Sequence, residues 1–270
     1  MRRMGIGLQL FTVREDLSKD FTGTLRRVAE LGYEGVEFAG YGGMSAEALK
    51  DLLQELNLKA IGAHVSLAKM KADLNKEIEY LLAIDAPYLI CPHIAAEDRQ
   101  TPEAWQSLFA YLAEAGRHMK EKGLQFAYHN HAFEFEMKIN DQYVFDALYA
   151  SASPETLQVE LDAGWVQFAG LDALQYIANY AGRLPLLHLK DFKGEVNGQI
   201  NTVELGKGEI DLPSVIQAGS DAGVSWMIVE QDRCSNPPLE SVATSYNWLK
   251  QNYLSKFQTE YQHKKESNLT

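Results

Sequence analysis

Residues 123–131 read "GLQFAYHNH", an apolar run that closes on two histidines flanking an asparagine. Read as a strand, the segment sends His129 and His131 to the same face, because successive side chains alternate. Against a packed core both rings would need buried polar partners. Against a cavity they would be free for chemistry. What the rest of the chain builds around them decides between the two.

Seven more segments carry the same signature of a short apolar run ending in polar residues. They are "GIGLQLF" (5–11), "YEGVEF" (33–38), "LKAIGAHV" (58–65), "APYLICPHI" (86–94), "LQVELD" (157–162), "LPLLHLKD" (184–191) and "SWMIVEQD" (225–232). Helical patterns lie between them. Ser45 is placed to cap "SAEALKDLLQELN", and Thr101 caps a long helix with Pro102 at its first position and Gly123 past its end. "LDALQYIANYAG", "DLPSVIQAGSDAG" and "PLESVATSYNWLKQNYL" continue the series. Eight strand–helix units without a linker predict a parallel sheet closed into a single (β/α)8 barrel, a TIM barrel of the α/β class, over residues 1–255. No glycine-rich dinucleotide turn follows the first strand, which disfavours an open doubly wound sheet. The polar tail, 256–270, reads as a frayed end or the arm of a homo-oligomer.

The 270 residues are 46% hydrophobic and 23% charged, enough to bury a large core. A net charge of −12 argues against nucleic acid and anionic membranes as partners. The two cysteines, Cys91 and Cys234, form no CxxC pair, which points to a reducing, cytoplasmic setting. The arginines of "MRRMGIGLQLFTV" precede a short apolar run broken by Gln9, a first strand and not a signal peptide. No window reaches the roughly 18 unbroken apolar residues of a membrane span.

Barrel enzymes work at the C-terminal ends of their strands. The two-residue period brings to that end Gln9, Glu37, His64, His93, His129 and His131, Glu160 and Asp162, His188 and Lys190, and Glu230. A lone buried histidine is more often a hydrogen-bonded core residue than a ligand. A carboxylate at a strand end is often a cap, and Asp191, Asp232 and Glu134, one step outside the inward register, read that way. Eight strands ending alike is a different observation. Carboxylates and imidazoles sharing one enclosed mouth repel or lose solvation unless a divalent cation compensates, and that donor set suits Mn, Fe, Co or Zn better than Ca.

"LQLFTVRE", "LGYEGVEFAG", "YHNHAFEF", "LDAGW", "PLLHLKD" and "ELGKGEIDLPSVIQAG" together resemble the sugar phosphate isomerase/epimerase family, the xylose isomerase-like barrels, from about Gly5 to Leu254. The resemblance implies one divalent metal (Mn, Co, Zn, Fe or Mg) held by residues of strands five to eight. The family's aspartate, histidine and last glutamate fall on Asp162, His188 and Glu230. Its strand-five glutamate falls on His129, so that position is filled by His129 itself, or the missing carboxylate comes from Glu134 or Glu160. The family's histidine three residues after the ligand aspartate is Trp165 here. The strand-five replacement is similar to that of the inosose dehydratase branch.

The resemblance implies proton abstraction beside a carbonyl, giving an enediolate. Glu160 and Glu230 are the expected acid/base groups, with Glu230 doubling as a ligand. Lys190 would stabilise oxyanion charge, and His131 would shuttle protons or hold hydroxyls. Gln9, Glu37, His64, His93 and Trp165 are left to bind substrate, with Phe11 a second aromatic wall. The expected activity is a metal-dependent isomerase or epimerase of a small keto-sugar or polyol. A dehydratase or hydratase of a keto-inositol or 3-keto-sugar is the alternative. "GKG" (206–208) fits no Walker pattern and reads as a structural turn before a helix at Asp211, so a non-phosphorylated substrate is expected.

Overall fold

The computed structural model describes residues 1–257, and the expected tail beyond Phe257 lies outside the described residues. Eight strands form the frame: β1 (Gly5–Gln9), β2 (Gly35–Phe38), β3 (Lys59–His64), β4 (Tyr88–Cys91), β5 (Gln125–His129), β6 (Gln158–Asp162), β7 (Leu186–Leu189) and β8 (Trp226–Val229). Each pairs in parallel with its sequence neighbours, and β8 pairs with β1, so the sheet closes as expected. Parallel strands buried on both faces read as near-continuous apolar runs, which is why all eight were visible.

Helices cover the outside. Ser45 caps Ala46–Glu55, and Thr101 caps Pro102–Glu121, each accepting a backbone N–H from three residues on. Outward residues such as Leu8, Val36, Leu89, Val159 and Val229 are buried in the main core under these helices. Inside the barrel a small separate layer of Ile61, Ile90, Ala127, Leu186 and Ile228 fills the lower half. Gly7 belongs to this layer because a Cβ there would sit 2.3 Å from Ile61 Cδ1. Below it, Trp226 lies over Gly5.

Above that apolar plug the inward positions turn polar, at Gln9, Glu37, His64, His129, Glu160, Asp162 and His188. The register of β2 and β3 shifts by one residue between Val36 and Glu37. That bulge lets Ile61 join the apolar layer while His64, three residues on, joins the polar one.

Every strand stops at or before its expected end. β4 ends at Cys91, β7 at Leu189 and β8 at Val229, so Lys190 and Glu230 stand on the first residue past their strands and His93 on the second. Two antiparallel hairpins were not anticipated: Asp191–Val196 with Gln199–Val203, and Lys138–Ile139 with Gln142–Tyr143. No helix among the described residues is long and apolar enough to cross a membrane.

Candidate active site

The polar groups at the mouth occupy two tiers because Glu160 lies two residues below Asp162 on the same face of β6. In the upper tier, one donor atom each from His129, Asp162, His188 and Glu230 lies within 4.8 Å of the others. His188 Nδ1 is 3.1 Å from Glu230 Oε2, and His129 Nε2 is 3.9 Å from Asp162 Oδ2. Lys190, fully buried, sets its Nζ 3.0 Å from Asp162 Oδ2, 2.9 Å from Glu230 Oε2 and 2.7 Å from Asp232 Oδ2. Asp162 also caps helix Ala163–Phe168, its Oδ1 accepting the Trp165 N–H at 2.9 Å, which fixes the carboxylate.

In the lower tier Gln9 Nε2 donates to Glu37 Oε1 at 2.6 Å. The same oxygen lies 2.9 Å from both His64 Nε2 and His188 Nε2. Glu160 Oε2 meets His64 Nε2 at 2.8 Å, His129 Nδ1 at 3.1 Å and His188 Nε2 at 3.4 Å. His64, His129, Glu160 and His188 therefore form a second close grouping.

Burial and neighbouring charge split these groups. Burial, with the cations of His188 and His64 beside it, holds His129 well below the usual imidazole range, so its ring is neutral and ligand-ready. Burial opposes the charge on His64, but Glu37 and Glu160 overcome it and push the ring up to about 10. His188 is raised too, its burial outweighed by Glu160 and Glu37. Burial would raise Glu230, yet Lys190 and His188 hold it well below the carboxylate range. Asp162 is raised by burial, with Lys190 opposing. Burial works against the Lys190 charge, and Asp162, Asp232 and Glu230 reverse that and hold it cationic.

The donor set fits a divalent cation. In the upper tier Asp162 Oδ2 is a buried carboxylate oxygen with no hydrogen-bond partner, Lys190 being near it without the alignment of a donor; Glu160 Oε1 and Glu37 Oε2 are likewise unpartnered in the lower tier. Two carboxylates and two imidazoles suit Zn, Mn, Fe or Co.

Above the upper tier opens a cavity of about 410 Å³ whose wall includes Phe11, His64, His93, His129, His131 and Glu230. Gln9, Glu37 and Glu160 do not reach that wall, and neither do Asp162, His188 and Lys190; all six are buried beneath it. Trp165 stands beside it, its ring 5.2 Å from that of His131 and 5.2 Å from Lys190 Nζ. His131 Nδ1 is buried without a partner. Sequence reasoning missed Ser66, Lys69 and Pro92, which also line the cavity.

The three expected caps take other roles. Asp232 lines the cavity on Lys190, and helix Pro238–Leu249 begins at Pro237 without it. Glu134 accepts the Tyr128 hydroxyl at 2.6 Å and the His131 N–H at 2.8 Å, so its oxygens are spent away from the cluster and it supplies no ligand there. Burial pushes it up to about 7. Asp191 collects the N–H groups of Phe192, Gly206, Gly208 and Ile210 at 2.9–3.2 Å. Gly208 is required, since a Cβ there would lie 2.1 Å from Asp191 Oδ1. The "GKG" turn is thus wrapped around a carboxylate, and Asp211 caps the following helix as expected. Asp191→Ala strands four backbone donors, two of them buried, and is expected to cost about 2–3 kcal/mol in denaturant unfolding, with faster hydrogen exchange at Gly206, Gly208 and Ile210.

A family model for the xylose isomerase-like TIM barrel matches residues 25–252. An inosose dehydratase of Clostridium perfringens is 22% identical, the match covering 87% of this chain and 92% of that protein. A structure described as a sugar phosphate isomerase/epimerase from Parabacteroides distasonis superposes with a TM-score of 0.76 at 20% identity, over 92% of this chain and 94% of its own. The IOLI protein, solved with a zinc atom bound, gives a TM-score of 0.76 at 16% identity over 90% and 96% of the two chains. At these identities the two structures speak to the fold.

Proposed function

Because the chain belongs to the xylose isomerase-like TIM barrel family, we propose that it is a divalent-metal-dependent lyase that dehydrates an unphosphorylated keto-polyol or keto-sugar. His129, Asp162, His188 and Glu230 would hold the cation. When bound, the cation supplies Lewis-acid stabilisation of negative charge on the substrate carbonyl oxygen.

One observation carries the choice of reaction. The acid/base groups form a contiguous set, with Lys190 Nζ 2.9 Å from Glu230 and 2.7 Å from Asp232. The strand-five position offers only His129, whose two nitrogens face Glu160 and Asp162. Epimerisation with a carboxylate base on each face of one carbon therefore lacks its second carboxylate. Elimination needs a base and an acid on one side. Glu230 Oε2 takes the proton beside the carbonyl, and the C–H pair becomes the new double bond. As the β C–O bond breaks, the buried Lys190 ammonium gives a proton through Asp232, 2.7 Å away on the cavity wall, to the departing hydroxide, and water leaves. The proton on Glu230 then passes the 2.9 Å to Lys190 and restores both groups. His64, His93 and His131, on the cavity wall, are placed to orient hydroxyls.

Two further observations support the substrate class. Asp191 fills the backbone nest of the loop after β7, where barrels often seat a phosphate, so a phosphorylated substrate finds no cradle there. The relative named for inosose dehydration favours a cyclic keto-polyol. The second reading, an isomerase or epimerase, is favoured by His131, whose unpartnered Nδ1 is a candidate proton carrier beyond the carboxylates.

Product mass separates the two. Incubation with an inosose and with linear keto-sugars is expected to give a product lighter by one water. Chelator treatment should lower turnover about 10²-fold, with Mn or Co restoring it. An isobaric product would move the assignment to isomerisation, and full turnover after exhaustive chelation would remove the metal from it.

A further inference from the structure

The lower tier lies outside the chemistry just described. Glu160 and Glu37 are completely buried, and neither touches the cavity. His64, which does line it, is 2.8 Å from Glu160 and 2.9 Å from Glu37. We infer that Glu160, with Glu37 beside it, is a positioning residue, a carboxylate floor that decides which ring nitrogen of His129 and His188 is turned toward the cation. This rests on the cation site proposed above.

Both groupings of donor atoms contain His129 and His188, but they use opposite edges of each ring. Below, Glu160 Oε2 meets His129 Nδ1 at 3.1 Å, and Glu37 Oε1 meets His188 Nε2 at 2.9 Å. Above, His129 Nε2 faces Asp162 and His188 Nδ1 faces Glu230. A carboxylate only accepts, so the lower nitrogen of each ring carries the hydrogen. His188 Nδ1 also faces a carboxylate, Glu230 Oε2 at 3.1 Å, and carries a hydrogen while the ring is cationic; a cation bound there would displace that hydrogen and leave each ring neutral, with its N–H below and its lone pair above. A metal-ligating histidine is commonly held in this way, its second nitrogen donating to a carboxylate. Gln9 donating to Glu37 at 2.6 Å fixes one acceptor, and Glu160 Oε2 is held among three rings.

The same geometry opposes a second cation in the lower grouping. His129 and His188 would each have to ligate through both nitrogens, losing the remaining ring hydrogen. One ion per chain is therefore expected.

Calorimetric titration of chelator-stripped protein with Zn or Mn tests this, alongside kcat at saturating cation and the visible spectrum of the Co-loaded protein. Wild type should bind one ion. Glu160→Ala should weaken binding about 100-fold and shift the Co spectrum, and Glu160→Gln, which keeps an acceptor, about tenfold. In both, kcat at saturating cation should fall by less than the affinity does, because a positioning residue acts through occupancy and ring orientation. If Glu160→Ala does not fold, Glu160→Gln carries the test alone. Wild-type affinity in the variants, a loss of kcat at full occupancy larger than the loss of affinity, or two ions per chain would overturn the inference. No binding by the wild type would instead remove the cation site on which it rests.

Discussion

Glu230→Gln is expected to lower kcat/KM by about 10³-fold or more while leaving the fold in place. Two functions meet on this side chain in the proposed reaction. It contributes one of four donor atoms to the cation, and it is the carboxylate that takes the proton beside the carbonyl. Loss of a general base alone typically costs 10²–10⁴-fold, and the amide also surrenders the charge that pairs with His188 Nδ1 and Lys190 Nζ. Glu230 stands on the loop residue after β8, so the barrel strands are untouched by the change. Turnover and far-UV circular dichroism, measured together, check both halves. More than a tenth of wild-type turnover in a cation-loaded variant would strip Glu230 of the base role.

The barrel was legible because its strands are buried on both faces and its helices carry their own start signals at Ser45 and Thr101. The upper grouping was legible for a related reason: a parity count along β6 and β7 puts Asp162 and His188 on one face, and they stand opposite each other in the register. Parity fails once a strand has ended. Extending it through Asp191 and Asp232 hid the loop geometry that sets Asp232 on Lys190 and Asp191 under the "GKG" turn. Depth was also illegible. Gln9, Glu37 and Glu160 share the inward face with the residues above them, but alternation tells inside from outside and says nothing about height along the barrel axis. Ser66 and Lys69 gave no signal at all, since they belong to the start of helix Leu67–Ala83 and not to a strand. The hairpins did announce themselves. Asn197 and Gly198, at φ 54° and 72°, form the Asn-Gly turn that typically joins paired strands, and Asn140 and Asp141, at 51° and 64°, do the same for the shorter one.

Lys190→Met is expected to destabilise the metal-free protein by about 3–5 kcal/mol, the usual cost of removing one partner from a buried ion pair. The side chain is 1% exposed and its ammonium sits among Asp162, Glu230 and Asp232 at 2.7–3.0 Å. Methionine matches the stem in length, so cavity formation adds little and the loss is chiefly electrostatic. With no cation among them, the carboxylates can relieve their repulsion only by taking up protons. Burial already raises Asp162 and Asp232 above their ordinary 3.8, and without Lys190 the rise is larger. A carboxyl with a raised folded-state pKa is more protonated folded than unfolded, so its contribution to stability falls as pH climbs above about 4. The variant's deficit should therefore grow from acid toward neutral pH. A divalent cation supplies the missing charge at the same place, and ligand binding stabilises by RT ln(1 + [L]/Kd). Saturating Mn or Zn should thus raise the melting temperature of the variant by more than that of wild type, while turnover stays low for want of the proton donor. Denaturant unfolding at several pH values, with and without cation, reads all of this. A variant within about 1 kcal/mol of wild type at pH 8, or one that added cation leaves unchanged, would mean that the carboxylates around Lys190 are not the charged ligands proposed here.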